Sequence, residues 1–361
     1  MNRKGVCYDV GRVLMGMDWR PMFDVGEMHR ELEIVKNDLH CNAVRICGQD
    51  IDRLVTAGRD ALEQGLEVWV SPELWDNSPE ETLDYVMEAA KRAEELRRDE
   101  PGQVVFSVGS ELTLFMRGIL PGDTFLERLQ HLSSWDRIRS GAHNGPLDAF
   151  LAKANDAVRQ VFKGSVTYAS VPLETVDWSR FDVVAVDLYR DARIRDRFTD
   201  LVRRYFAHGR PVVITEFGCC TYQGAADAGG MGWAIVDLDI TELGKRPPQL
   251  KGHYVRDEGE QARELTELFT IFDGAGVDGT FVFTFVAPTS PHSDDPRYDL
   301  DMASYSLVTS YGNRLGDLAT DFPHLPWDAG RSGTTYPDMP WEPKQSFGAV
   351  ADFYAGRARP A

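Results

Sequence analysis

The chain has no apolar run of the roughly 18 residues that a membrane-spanning helix requires, which excludes such a span. It has no C-x-x-C pair, and its five cysteines (Cys7, Cys41, Cys47, Cys219 and Cys220) are odd in number. That pattern argues against a disulfide framework or a thiolate zinc site and for reduced, structural thiols. Cys219 and Cys220 follow Glu216 closely, so one of them is a candidate for lining a pocket. The eight histidines form no H-x-x-x-H pair, no serine sits in a G-x-S-x-G elbow, no G-x-G-x-x-G follows the first strand, and no Walker pattern occurs. These absences disfavour a zinc protease, a serine hydrolase and a nucleotide-binding sheet. No lysine falls inside or at the C-terminal end of a predicted strand, which disfavours Schiff-base chemistry.

Positive charge is also scarce. Lys and Arg number 39 against 57 Asp and Glu, a net charge of −18. Such a surface repels phosphate backbones and anionic lipid, so nucleic acid and membranes are not expected partners. The acidic stretch His292-Ser-Asp-Asp295-Pro-Arg297-Tyr-Asp299-Leu-Asp301 lacks the alternate ligands and central glycine of an EF-hand loop, and no metal or cofactor is expected. Met1-Asn-Arg-Lys4 runs straight into an apolar strand at Gly5, leaving no room for a signal peptide and making a cytoplasmic location the expectation.

What the chain does have is regular alternation. Short β-branched runs recur at Gly5–Val10, Ala43–Cys47, Glu67–Ser71, Val104–Val108, Ser165–Ala169, Asp182–Leu188, Pro211–Thr215 and Thr280–Phe285. Unbroken runs of this kind mark strands buried on both faces. Helical periodicity lies between most of them, as in Met28, Leu32, Val35 and Leu39. Ser78, Pro79 and Glu81 form a helix start with a capping box. Eight strands with intervening helices predict an α/β fold, a (β/α)8 TIM barrel, over residues 1–361 as a single domain. The connections after strands seven and eight, Cys219–Arg256 and Val286–Glu342, are long and are expected to shape a pocket.

Two glutamates end the fourth and seventh runs: Val104-Val-Phe-Ser-Val-Gly-Ser-Glu111 and Pro211-Val-Val-Ile-Thr-Glu216-Phe-Gly. A closed barrel gathers the C-terminal ends of its strands on one face, so two carboxylates remote in sequence would meet across one pocket. Facing carboxylates are the minimum equipment for cleaving a glycosidic bond, with one as nucleophile and one as proton donor. Proximity itself raises the donor's pKa, because adjacent carboxylates resist ionising together. The plain alternative is that either glutamate is an exposed loop residue or pairs with an arginine. Tyr8 and Asp9 end strand one, Glu73 and Trp75 follow strand three, and Trp233 lies in the loop after strand seven. All five are candidates for lining the site, as rings for sugar faces or as hydroxyl acceptors.

The order and spacing of Asn42-Ala-Val-Arg45-Ile, Ser107-Val-Gly-Ser-Glu111, Asp182-Val-Val-Ala-Val-Asp-Leu-Tyr189 and Pro211-Val-Val-Ile-Thr-Glu216-Phe-Gly resemble the clan A glycoside hydrolases. The resemblance implies a retaining double displacement with Glu111 as acid/base and Glu216 as nucleophile. It also implies that Arg45 keeps the nucleophile ionised and that Tyr189 hydrogen-bonds it, with Asp187 as the alternative pocket residue on the same strand. Two positions depart from the pattern. Ser110 stands where the family has Asn, and Phe283 and Phe285 occupy the stretch where it favours Trp; Phe285 is the expected ring under the sugar. A small soluble glycoside is the expected substrate. The whole chain, including Tyr336-Pro-Asp-Met-Pro-Trp-Glu-Pro-Lys344-Gln-Ser-Phe, also resembles bacterial proteins labelled abortive phage infection proteins. That resemblance implies a non-catalytic or repurposed barrel with a binding or defence role.

Overall fold

The computed structural model describes residues 1–14, 16–100, 102–132, 135–237, 246–316, 327 and 329–357. Eight parallel strands close a barrel: β1 Arg3–Asp9, β2 Ala43–Gly48, β3 Glu67–Pro72, β4 Val104–Ser110, β5 Ser165–Ser170, β6 Val184–Asp187, β7 Val212–Phe217 and β8 Gly279–Val282. Each strand pairs with its neighbours in sequence, and β8 closes on β1 with Arg3 opposite Gly279. The principal helices are α1 Val25–Asn37, α2 Ile51–Glu63, α3 Pro79–Asp99, α4 Asn144–Val161, α5 Phe198–Arg204, α6 Glu258–Ala275 and α7 Gln345–Tyr354. The expected (β/α)8 barrel is what forms, with one variation. Between β5 and β6 a single 3-10 turn, Trp178–Arg180, replaces the helix, and the buried Trp178 and Phe181 cover that side of the sheet.

Local chemistry explains where the helices start. Asp24, Asp50 and Asp257 each cap a helix by accepting from the backbone N–H three residues on. Ser78 and Glu81 complete the reciprocal capping box ahead of Pro79. The stripe of Met28, Leu32 and Val35 on α1 is fully buried against the barrel wall.

Period-two alternation sorts the strands into an outer layer and an inner one. Cys7, Ala43, Trp69, Val105, Ala185, Val213 and Phe281 fill the barrel interior. Val6, Tyr8, Ile46, Val184 and Ile214 face the helices. Tyr8 is therefore not a pocket residue, contrary to the sequence expectation. It lies between the inward-facing Cys7 and Asp9, and its hydroxyl donates to Glu31 Oε2 on α1 at 2.5 Å. Phe285 is corrected for a related reason. Strand β8 ends at Val282, so alternation stops there. Phe285 turns into the outer layer against Trp341 and Tyr8, and Phe283 faces the site instead.

Alternation is also broken on both strands that carry the glutamates. On β7, Ile214 opposes Val186 but Glu216 opposes Asp187, so Thr215 is an extra residue. Without that bulge, Glu216 would share the outward face of Ile214. With it, Val213 and Glu216 both point inward, and Ile214 and Phe217 point out. On β4 the register slips between Ser107 and Ser110 in the same way.

The long connections are fastened to each other. After β7, a short helix Ala225–Ala228 and a 3-10 segment Gly229–Ile235 follow. After β8, Val308–Ser310 pairs antiparallel with Trp341–Pro343. The Tyr305 hydroxyl bridges the two, accepting from Gly232 N at 3.0 Å and donating to Gly229 O at 2.8 Å. Below them, Asp301 sits 3.0 Å from Lys344 Nζ and 2.7 Å from Arg256 Nη2. Lys344 also donates to Thr221 and Ser306 hydroxyls. Both Lys344 and Asp301 side chains have 0% exposure, so each charge depends on the other for its solvation. Asp301→Ala leaves the ammonium buried without a carboxylate. The expected loss is about 3–5 kcal/mol of stability, read as a lower urea midpoint; an unchanged midpoint would show that the hydroxyls alone suffice.

Candidate active site

Glu111 follows the last residue of β4 in the left-handed backbone region, at φ 49°, and caps one helical turn, Leu112–Phe115. A left-handed glutamate is strained, and its neighbourhood holds it there. Leu112 N donates to the Tyr168 hydroxyl at 2.8 Å and Thr113 N to Glu174 at 3.1 Å, while Tyr168 donates to that same carboxylate. The buried Tyr168 and the half-buried Glu174 brace the turn behind Glu111; neither residue was among the sequence candidates.

Glu111, Asp187 and Glu216 converge, with one carboxylate oxygen from each lying within 4.8 Å of the others. Their surroundings differ sharply. Glu216 Oε1 accepts from Arg45 Nη1 at 2.5 Å and from Arg12 Nη2 at 2.8 Å, and Tyr189 donates to Oε2 at 3.3 Å. Asp187 Oδ2 accepts from the Ser110 hydroxyl at 3.0 Å. Among the described residues, no hydrogen bond or ion pair engages the Glu111 carboxyl, which is partly exposed.

Protonation follows from these contacts. Burial pushes Glu216 up, but Arg12 and Arg45 outweigh it and hold the carboxyl below its usual range. Burial pushes Glu111 well above that range, and the Asp187 and Glu216 charges add to the effect. Asp187 is raised to about 7 by burial and by Glu216, with Arg45 opposing. Tyr189 is held protonated by burial and by Glu216, so it can only donate to that carboxylate. The surroundings thus set the three carboxyls apart: Glu216 is held toward its ionised form, Glu111 is pushed toward its protonated form, and Asp187, at about 7, lies between them.

The clamp on Glu216 has its own supports. Arg12 Nη2 reaches Glu73 at 3.0 Å, and Arg45 reaches Ser71 at 3.0 Å and Glu73 at 3.4 Å. Asp9 accepts from Gly11 N and Arg12 N, fixing the turn that launches Arg12. Arg12 is another site residue that sequence reading missed. The available signal was an arginine just past the end of β1, three residues after an aspartate able to bond the intervening turn.

Aromatic rings form one wall. Trp75 stacks on Phe115 at 4.2 Å and Phe115 on Phe125 at 4.9 Å, while Trp19 and Trp233 close the ends of this row. Phe283 lies 5.1 Å from the Arg12 guanidinium. Cys219 and Cys220 are buried among Tyr222, Tyr305 and Ala303, where burial pushes both thiols up and away from nucleophilic use.

The three carboxyls are the donor set to test for a metal. Glu216 Oε1 already accepts from two guanidiniums, and a cation there would sit against their charge. That arrangement suits sharing of protons better than coordination.

No protein-family model and no curated protein sequence matches the chain. Solved structures do. A GH113 β-mannanase from Alicyclobacillus acidocaldarius, in complex with ManMIm, aligns with TM-score 0.55 and 14% identity over 99% of this chain and 98% of its own. Another GH113 β-1,4-mannanase aligns with TM-score 0.55 and 14% identity over 90% and 99%. A glycoside hydrolase 5 lichenase from Caldicellulosiruptor sp. F32, in complex with cellotetraose, gives 0.52 and 11% over 97% and 92%. The comparisons lend no support to the resemblance to abortive phage infection proteins. The chain has the barrel fold of these glycoside hydrolases.

Arg12→Met removes one of the two cations on Glu216 and leaves Arg45. The Glu216 midpoint, followed by carboxyl carbon-13 resonance, is expected to rise by about 1–3 pH units. An unmoved midpoint would mean that Arg45 alone sets the charge.

Proposed function

We propose that the protein is a retaining glycoside hydrolase acting on a small soluble glycoside. One observation carries this reading: Glu111 and Glu216 approach within 4.8 Å while their surroundings drive them to opposite protonation states. Retaining enzymes hold their two carboxyl groups about 5–5.5 Å apart and inverting ones about 6.5–9.5 Å, to admit a water. The short separation favours direct attack.

In the first step the ionised Glu216 attacks the anomeric carbon and forms an ester bond as the glycosidic C–O bond breaks. Glu111 gives its proton to the departing oxygen. Arg12 and Arg45 keep the attacking carboxylate ionised and oriented, because their forked donors never lose charge. Forming the ester removes one negative charge beside Glu111, which eases its ionisation. Glu111 then takes a proton from water as that water attacks the anomeric carbon, releasing the sugar and restoring Glu216. Tyr189 steadies the second oxygen of Glu216 throughout. A short substrate is favoured by the aromatic wall, whose Trp75, Phe115 and Phe125 faces are largely turned toward one another. A purely binding role gains no specific support from this arrangement.

Two measurements test the reading on a panel of chromogenic glycosides. The wild type should turn over at least one, and Glu216→Gln should lose at least ~10³-fold in kcat; equal rates in the two proteins end the nucleophile assignment. The pH profile should be a bell. Its acid limb, set by Glu216, should lie below the ordinary carboxylate range. Its basic limb, set by loss of the Glu111 proton, should lie above that range. Glu111→Gln should abolish the basic limb, and persistence of that limb would assign it to another group.

A further inference from the structure

The turn that follows Glu111 starts as any helix starts. Glu111 is its N-cap, and Leu112, Thr113 and Leu114 are its first three residues. The opening N–H groups of a helix have no partner within it. An N-cap side chain ordinarily accepts from the N–H of the second or third residue. Glu111 does not, for its side chain makes no cap hydrogen bond. Its backbone is already engaged on both sides. Glu111 N donates to Ala169 O at 2.9 Å, and Glu111 O accepts from Leu114 N at 2.8 Å. Leu112 N and Thr113 N therefore need acceptors from elsewhere.

The chain at and after β5 supplies both. Thr113 N donates to Glu174 Oε1 at 3.1 Å, and Leu112 N donates to the Tyr168 hydroxyl at 2.8 Å. Tyr168 in turn donates to the Glu174 carboxylate at 2.9 Å. Val171 N donates to Glu174 Oε2 at 3.2 Å, which fixes the carboxylate from its own loop. That loop is pinned on either side of Glu174. His143 Nε2 lies 2.7 Å from Leu173 O, and Thr175 N donates to Asn144 Oδ1 at 2.7 Å. His143 and Asn144 stand at the start of α4. A carboxylate from a different loop is thus set on the second-residue N–H, the donor an N-cap side chain would take.

We infer that Glu174 is a positioning residue: it caps the turn in place of Glu111 and so leaves the Glu111 carboxyl free to face Glu216. The acid/base role of that carboxyl rests on the glycosidase reading. The two arrangements exclude each other. A Glu111 carboxylate accepting from Thr113 N would be folded back on its own turn, away from the carboxyls it now approaches within 4.8 Å. A backbone N–H on a carboxylate also favours its ionised form. Capping from outside therefore serves a proton donor twice. It keeps the side chain over the site, and it withholds a donor that would lower its proton affinity. The Glu174 charge works in the same direction on Glu111.

The test follows glutamate carboxyl carbon-13 and Thr113 amide resonances against pH in the wild type, Glu174→Gln and Glu174→Ala. In the wild type the Thr113 amide should titrate with the Glu174 carboxyl, whose midpoint burial raises to about 6. An amide that follows Glu111, or neither carboxyl, overturns the inference without any variant. In Glu174→Ala the Glu111 midpoint should fall, because its own carboxylate takes the vacated N–H. Glu174→Gln keeps an oxygen for Thr113 N and should leave that midpoint closer to wild type. An unmoved midpoint in Glu174→Ala overturns the inference. So does an equal fall in both variants, since charge alone would then account for it. On any glycoside the wild type cleaves, Glu174→Ala should lose about 10- to 100-fold in kcat, the cost of a displaced catalytic group, with KM little changed. Glu174→Gln should recover most of that loss; a loss carried by KM instead overturns the positioning role. The expected resonances with no glycoside cleaved remove the hydrolase reading and leave the cap. Cleavage with a Glu111 midpoint indifferent to Glu174 does the reverse.

Discussion

The site is organised by two arginines on one carboxylate oxygen. A buried glutamate would ordinarily take up a proton, and Arg12 and Arg45 prevent it by delivering two charged donors to Glu216. Desolvating two guanidiniums is itself expensive, and Glu73 and Asp9 offset much of that cost. The strand ends of β1, β2, β3 and β7 are thus tied by one ionic network, and the remaining acids are left to settle among themselves. Glu111 is pushed up by burial and by the neighbouring Asp187 and Glu216 charges, with the two arginines engaged elsewhere.

The barrel was readable from the chain because its strands are buried on both faces and leave unbroken β-branched runs. The acid pair was readable because strand ends collect on one rim. Arg45, Asp187, Ser110 and Tyr189 lie on β2, β4 and the β6 end, where counting from a strand suffices. Tyr8 failed on parity, since a residue between two inward-facing neighbours faces out. Phe285 failed because the strand stops at Val282 and parity no longer applies. Arg12 escaped counting because it stands on a turn, and turns carry no period; its one cue was the aspartate three residues before it. The bulge at Thr215 was equally hidden: a single residue added to a strand leaves no mark in composition.

The connections on the active face behave as part of the scaffold. Tyr305 ties the segment carrying Trp233 to the chain beyond β8, and the Lys344–Asp301 pair anchors that chain to the start of α7. Pocket walls built this way inherit rigidity from buried polar contacts rather than from regular secondary structure. Such contacts are directional, so they fix where Trp233 and Tyr189 stand relative to Glu216.

The extra residue in β7 has an evolutionary corollary. The side chain that carries the charge and the backbone count that aims it are independent characters. A deletion of one residue beside Thr215 would preserve the glutamate in any alignment while rotating it into the helix layer, among Phe269 and Phe272. Ancestry of the chemistry in barrels of this kind is therefore better traced through strand register than through identity of the acids.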